Sequence, residues 1–303
     1  ETEMLELRQI TKTFGDFKAL DDLTMTVPHG AVYGLVGPNG AGKSTAIRHI
    51  TGVYRCDSGE VTLNGEAVYE NTKVKEIIGY IPDEIFYFPS ATLEDMRKYY
   101  RGLYPKFDDA LFERLKEIFQ LPEKTQIRRY SKGMQKQAAF QLTLSCRPEV
   151  LILDEPVDGL DPVMRRQVMS LILADVAEYG TTVLISSHNL RELEDVCDQV
   201  GLLHQGHILF QRELNDLKLG FCKVQAAFRP MIPEEVLRKE LDVLKLEISG
   251  SMVSIVARGS VEEVSEKLEK HQPLFCEAVP MMLEEIFIYE MGGVDYEIKD
   301  ILF

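Results

Sequence analysis

Three glycines, a lysine and a serine fall at the spacing of a phosphate cradle: Gly37-Pro38-Asn39-Gly40-Ala41-Gly42-Lys43-Ser44, followed by Thr45, fits the P-loop pattern. Glycines let a backbone curl around phosphate and aim several N–H groups at its oxygens. A helix N-terminus behind them adds a positive dipole. In that chemistry Lys43 reaches the β- and γ-phosphates of a nucleotide and the Ser44 hydroxyl ligates Mg2+. Further along, an apolar run ends in two adjacent carboxylates, Asp154 and Glu155. Successive side chains at a strand end point to opposite sides, so one can face a metal ion and the other a phosphate. Asp154 suits the metal, and Glu155 suits polarising an attacking water.

Such residues act together only if the fold brings them together. Short apolar runs at 4–10, 20–27, 32–36, 150–154, 182–186, 199–203 and 207–210 predict strands, and helical patterns between them point to an α/β sheet. The cradle lies between the run at 32–36 and a helix over 45–50. From Pro89 to Pro122, Leu93, Met96 and Tyr100, then Leu111, Leu115, Ile118 and Phe119, recur at helical spacing. They predict an inserted helical subdomain at about 84–145, with Tyr99 and Tyr100 in its packing. After residue 218 the pattern changes to strand 222–228, helix 234–241, strands 244–249 and 252–257, helix 261–271 and strand 274–279. That βαββαβ order is the ferredoxin-like plan. A helix from Met281 through Met291 follows, then Gly292 and Gly293 and a short apolar end. The expectation is an α/β nucleotide-binding domain over 1–218 and a small α+β accessory domain over 219–303.

Further motifs narrow the class. Tyr130-Ser131-Lys132-Gly133-Met134-Gln135 resembles the signature motif of ATP-binding cassette (ABC) proteins, and it stands just before the Asp154-Glu155 strand as in that family. Pro156-Val157-Asp158-Gly159-Leu160-Asp161 is similar to the family's D-loop, and Ile185-Ser186-Ser187-His188 to its switch-histidine segment. Phe14 matches the aromatic residue that stacks on adenine. All five motifs occur in the family's order across residues 14–188, and the resemblance extends to about residue 218. It implies an ABC-type P-loop NTPase that hydrolyses ATP with Mg2+. It also implies two nucleotide-binding domains meeting head to tail around the nucleotide. Residues Ser131, Lys132, Gly133, Met134 and Gln135 of one chain would then contact the nucleotide held by the other, with Asp161 at the seam and His188 sensing the γ-phosphate. One chain carries the full set of motifs, so a homodimer suffices. The other five histidines are expected to be structural.

Two positions depart from the family pattern. Lys132 replaces the usual glycine of the signature, as looks typical of exporter ATPases of the ABC-2 kind. Asp83 aligns with the glutamine that normally senses Mg2+. An aspartate still ligates a hard cation, with shorter reach and added charge. The expectation is that Asp83 approaches the metal, the alternative being an acidic, solvated loop.

Composition bounds the partners. The chain has 303 residues, 45% apolar and 27% charged, which is ordinary for a globular protein of about two domains. No stretch approaches the roughly 20 consecutive apolar residues of a membrane-spanning helix, and Glu1-Thr2-Glu3 does not open a secretory signal. Five scattered cysteines without a CxxC pair argue against disulfides and zinc. The net charge of −15 argues against nucleic acid as the main partner. A single P-loop without coiled-coil heptads resembles the ATPases of bacterial exporters for drugs, antimicrobial peptides and peptide toxins. The resulting expectation is a peripheral motor at the cytoplasmic face of the membrane, bound to an integral-membrane permease and driving export of an amphipathic small molecule or peptide. The alternative is a soluble cassette ATPase switching a macromolecular complex. The aromatic stretch Ile85, Phe86, Tyr87 and Phe88 serves either to dock a permease helix or to pack the helical subdomain. For the C-terminal domain, dimer support is favoured over ligand binding or a permease contact.

Overall fold

The computed structural model describes residues 3–290; the end of the expected tail helix at Met291, Gly292, Gly293 and the apolar end lie outside them. The chain divides into two compact units with the break between Gln211 and Arg212.

The first unit opens with strands β1 (Glu3–Phe14), β2 (Phe17–Pro28) and β3 (Val32–Val36), then α1 (Lys43–Ile50). There follow β4 (Ser58–Leu63), β5 (Glu66–Ala67), the single turn α2 (Thr72–Lys75) and β6 (Ile78–Ile81). Helices α3 (Leu93–Leu103), α4 (Asp109–Phe119) and α5 (Lys132–Ser145) form the inserted helical segment. The chain then returns through β7 (Val150–Asp154), α6 (Pro162–Tyr179), β8 (Thr182–Ser187), β9 (Gln199–His204) and β10 (His207–Glu213).

Two sheets result. One has the order β2-β1-β4-β5 and is antiparallel. The other runs β10-β9-β3-β8-β7-β6, with β9, β3, β8, β7 and β6 in parallel register. Strands β3, β7 and β8 are buried along their whole length. A parallel strand covered on both faces reads as an unbroken apolar run, which is why these three were legible. Their C-terminal ends deliver the cradle, the carboxylate pair and the histidine to one edge, the usual ligand edge of a parallel sheet. The core beneath joins both sheets through Leu7, Leu23, Leu35, Ile47, Ile152 and Leu184.

Strands β4, β5 and β6 had no counterpart in the sequence reading. Ser58-Gly59-Glu60 opens β4 exposed and turn-like, and β6 is only four residues long. Tyr100 packs half-buried as expected, whereas Tyr99 is exposed and meets Phe88 edge-to-face with ring centroids 5.2 Å apart.

The second unit contains α7 (Leu214–Leu219), β11 (Phe221–Ala227), α8 (Glu234–Glu240), β12 (Asp242–Ser249), β13 (Met252–Arg258), α9 (Val261–Glu269), β14 (Phe275–Val279) and α10 (Leu283–Glu290). Its sheet has the order β12-β13-β11-β14 with every pair antiparallel, the topology of the ferredoxin-like βαββαβ plan. Val224, Phe228, Leu237, Val253, Ile255 and Leu268 build its separate core. The sequence reading set the domain boundary at residue 218; α7 groups with the second unit.

Candidate functional site

The cradle follows β3 directly. A Cβ on Gly37 would lie 2.2 Å from the Leu203 carbonyl oxygen, so only glycine fits there. Gly42, at φ 112, caps α1 in a conformation that L side chains rarely adopt. Helix α1 begins at Lys43, which places Ser44 and Thr45 in its first turn. Lys43 is buried, and its Nζ donates to the carbonyls of Gly37 at 2.6 Å and Pro38 at 3.3 Å. Burial depresses the basicity of this ammonium, while Glu155 and Asp154 pull it back up.

The carboxylates sit where β7 ends. Asp154 is buried and accepts a 2.5 Å hydrogen bond from Ser186 Oγ on β8. Glu155, the next residue, has φ 46, a left-handed conformation costing on the order of 1–3 kcal/mol for a non-glycine residue. Its backbone is held from both sides. The N–H donates to the carbonyl and Oγ of Ser186, both at 3.2 Å, and the carbonyl accepts from Lys136 Nζ. Its carboxylate lies between two basic groups, with Oε1 3.6 Å from Lys43 Nζ and Oε2 3.0 Å from His188 Nδ1. Burial pushes the Glu155 carboxyl upward, and Lys43 and His188 oppose that shift. Ligand atoms of Glu155, Asp158 and His188 lie within 4.8 Å of one another. Lys43, Asp154, Glu155 and His188, far apart in sequence, thus meet at one sheet edge.

The signature segment caps α5. Ser131 Oγ accepts from the Met134 N–H at 3.2 Å, and the Gln135 side chain donates to the Tyr130 carbonyl at 3.1 Å. A Cβ on Gly133 would come within 2.8 Å of the Gly159 carbonyl, so this glycine permits close approach of the 156–161 loop. Lys132 is exposed. Asp161 caps α6, its Oδ1 accepting from the N–H groups of Val163 and Met164 at 3.0 Å. The Asp83 side chain is 55% exposed and lies 3.7 Å from Lys136 Nζ. Asp83, Lys132, Gln135, Lys136, Asp158 and Gly159 line a cleft of about 580 Å³. Phe14, at the end of β1, meets Tyr54 edge-to-face with ring centroids 5.6 Å apart, leaving it 43% exposed.

Sequence reasoning missed four residues here: Tyr54, Lys136, Asp158 as a side chain at the site, and Ser186 as a hydrogen-bond partner. Lys136 had a signal, since it is a lysine one turn into a helix that continues almost without charge to Ser145. Ser186 had none, because its role depends on β8 lying beside β7.

A P-loop at the end of one parallel strand, a histidine following the strand beside it and a carboxylate pair at the end of the strand beyond that define an ATP-binding and hydrolysing cassette. Comparison with known proteins agrees. The family model described as ABC transporter matches residues 20–158. The ABC transporter ATP-binding protein YtrB of Bacillus subtilis (strain 168) is 33% identical over 290 residues, covering 96% of this chain and 99% of that protein. The linearmycin resistance ATP-binding protein LnrL of the same strain is 33% identical over 212 residues, 68% of each chain. A solved ATP-binding subunit of an ABC transporter superposes with a TM-score of 0.66 at 28% identity, over 71% of this chain and 92% of that one. The chain belongs to the ATP-binding proteins of ABC transporters, and it is an ATPase.

Proposed function

We propose that this chain is the motor subunit of a membrane exporter, closing as a homodimer around two ATP molecules and opening on their hydrolysis. The observation that carries the hydrolytic part is the convergence of Lys43, Asp154, Glu155 and His188 at one edge of the sheet. Lys43 exchanges its carbonyl partners for β- and γ-phosphate oxygens, and the N–H groups of 37–45 surround the phosphates. Phe14 and Tyr54 offer an aromatic surface for the base. The hydroxyl of Ser44 and the carboxylate of Asp154 are hard oxygen donors that fit Mg2+, and Asp83 adds a third. Held by these residues, such an ion would supply charge neutralisation at the phosphoryl oxygens. Glu155 polarises the attacking water, and His188, hydrogen-bonded to it, orients the carboxylate and reaches the γ-phosphate.

Closure between two copies is supported by the surface chemistry of the signature. Ser131, Lys132 and Asp161 are exposed polar residues, and Ser131 and Lys132 open α5, whose N-terminus has no acidic residue in its first turn and favours an incoming anion. Among the described residues no helix is long and apolar enough to cross a membrane, and this reading assigns the membrane-spanning part to a permease partner. LnrL is named for resistance to linearmycin, which fits a motor that removes a toxic compound.

The deciding experiment is co-purification of the tagged chain from its native membranes in mild detergent, with Mg2+-dependent ATP hydrolysis measured on what is recovered. A polytopic membrane protein in near-equal amount supports the exporter. Recovery with a soluble complex sinks transport and leaves hydrolysis standing.

A further inference from the structure

Lys136 is only 4% exposed, and lysine is almost never so buried unless it is paired. It lies one turn after the signature, on a helix whose following residues Ala138, Ala139, Phe140 and Leu142 are all core. Its ammonium has two partners, the backbone carbonyl of Glu155 and Oδ1 of Asp83, the latter 3.7 Å away. Next to it in sequence, the Gln135 carbonyl accepts a 2.7 Å hydrogen bond from Tyr87 Oη, and Tyr87 is buried. The loop 83–88 is therefore fastened to α5 at two successive residues, and the second fastening shares its ammonium with the peptide of Glu155. Burial weakens the hold of Lys136 on its proton, and Asp83, Asp158, Glu155 and Asp154 all favour the charged form.

The partner at Glu155 gives the arrangement its consequence. A left-handed glutamate persists only where its surroundings over-determine it. Ser186 holds the N–H side of that residue, and Lys136 holds the carbonyl side. The Glu155 carbonyl also accepts a longer, 3.4 Å hydrogen bond from the Asp158 N–H of its own loop. Without the ammonium that local bond is what remains on the carbonyl side among the described residues, so the peptide between Glu155 and Pro156 loses its tie to α5 and the carboxylate it aims is held less firmly.

We propose that Lys136 is a positioning residue for hydrolysis: it fixes the backbone at Glu155 and makes that fixation depend on where Asp83 and the loop 83–88 stand. The proposal rests on the assignment of Glu155 as the hydrolytic carboxylate. It also gives the aspartate at position 83 a role as the anchor of Lys136, apart from any contact with metal.

The test uses the full chain with the variants Lys136→Met, Lys136→Arg, Asp83→Asn and Lys136→Met with Asp83→Asn. Lys136→Met is expected to lower kcat for ATP by about 100-fold, the scale of a small misplacement of a reacting group, with KM and Mg2+-free ATP binding near wild type. Lys136→Arg recovers part of the loss. Asp83→Asn gives a smaller loss that does not add to that of Lys136→Met, because both act through one contact. Hydrogen exchange without nucleotide should speed up at the amides of 157–160 in Lys136→Met and not in α5. Unchanged kcat and unchanged exchange overturn the proposal, and additive losses overturn the link to Asp83. If Lys136→Met does not fold, Asp83→Asn alone must lower kcat and loosen 157–160, and normal values there overturn it. Hydrogen exchange separates this from failure of the assignment of Glu155, since it reads the contact even if Glu155→Gln still hydrolyses ATP.

Discussion

Glu155 concentrates the chemistry and the strain of this molecule. It is held left-handed between Ser186 and Lys136, and its carboxylate is shared between Lys43 and His188. Glu155→Gln keeps the shape and the backbone bonds while removing the carboxylate proposed above as the base. The expected outcome is a loss of roughly 10²–10⁴-fold in phosphate release with ATP binding retained, read by steady-state hydrolysis beside calorimetric titration. Gly133 is the second residue where one atom decides. In Gly133→Ala the added methyl meets the Gly159 carbonyl at 2.8 Å, and backbone on both sides gives little room to relax. Hydrolysis should fall while helix content by circular dichroism stays constant. Normal hydrolysis would show that the 156–161 loop moves aside freely.

Among the elements, α4 shows how the helical segment is fixed to the sheet. Asp108 caps it, accepting from the Leu111 N–H at 2.9 Å, and also pairs with Arg147, which follows α5 and reaches Asp175 on α6. The Leu111 N–H first, and the Arg147 guanidinium after it, hold the Asp108 carboxyl below the usual carboxylate range. The folded-state pKa is depressed, so the stabilisation is complete above the unfolded value of about 3.9 and is lost as pH falls through the folded one. Asp108→Ala should cost about 1–2 kcal/mol at neutral pH, and the gap to wild type in thermal melts should close below about pH 4. A gap that stays constant into acid would mean that packing, not the charged cap, holds this helix.

For the molecule as a whole, the question is where force leaves the cassette. Phe86 is 77% and Phe88 45% exposed, and Phe86, Phe88 and Tyr99 form a row of edge-to-face rings. Core packing would bury them, as it does Tyr87 between them, so within the 85–88 stretch exposure supports the docking alternative for Phe86 and Phe88 and packing for Tyr87. Substitution of both by serine should change stability by no more than about 0.5 kcal/mol, as at other surface sites, while the permease is lost from pull-downs. Unfolding of that variant would instead make the pair a packing element. The second unit has its own sheet and core, so it can be removed without cutting through the first. A chain ending at Glu213, the last residue of β10, is expected to hydrolyse ATP and to dimerise less tightly with it, measured by light scattering of a Glu155→Gln form. Equal dimerisation would remove dimer support as the role of residues 214–303.

Much of this was legible before any fold was known, for local reasons. The cradle, the carboxylate pair and the signature are contiguous strings whose glycines and caps act within a few residues, and strands β3, β7 and β8 announce themselves as unbroken apolar runs. Even the βαββαβ order of the second unit followed from alternation alone. The β4–β5 pair and β6 were hidden because their ends are exposed or too short to show a period. Tertiary structure alone decided which side chains share an atom. Lys136 meets the Glu155 carbonyl 19 residues away, and Ser186 meets the Glu155 N–H 31 residues away. Those meetings depend on the order of strands in the sheet and on which face of α5 turns toward it, and a one-dimensional pattern specifies the chemistry of a residue without specifying its neighbour across a sheet.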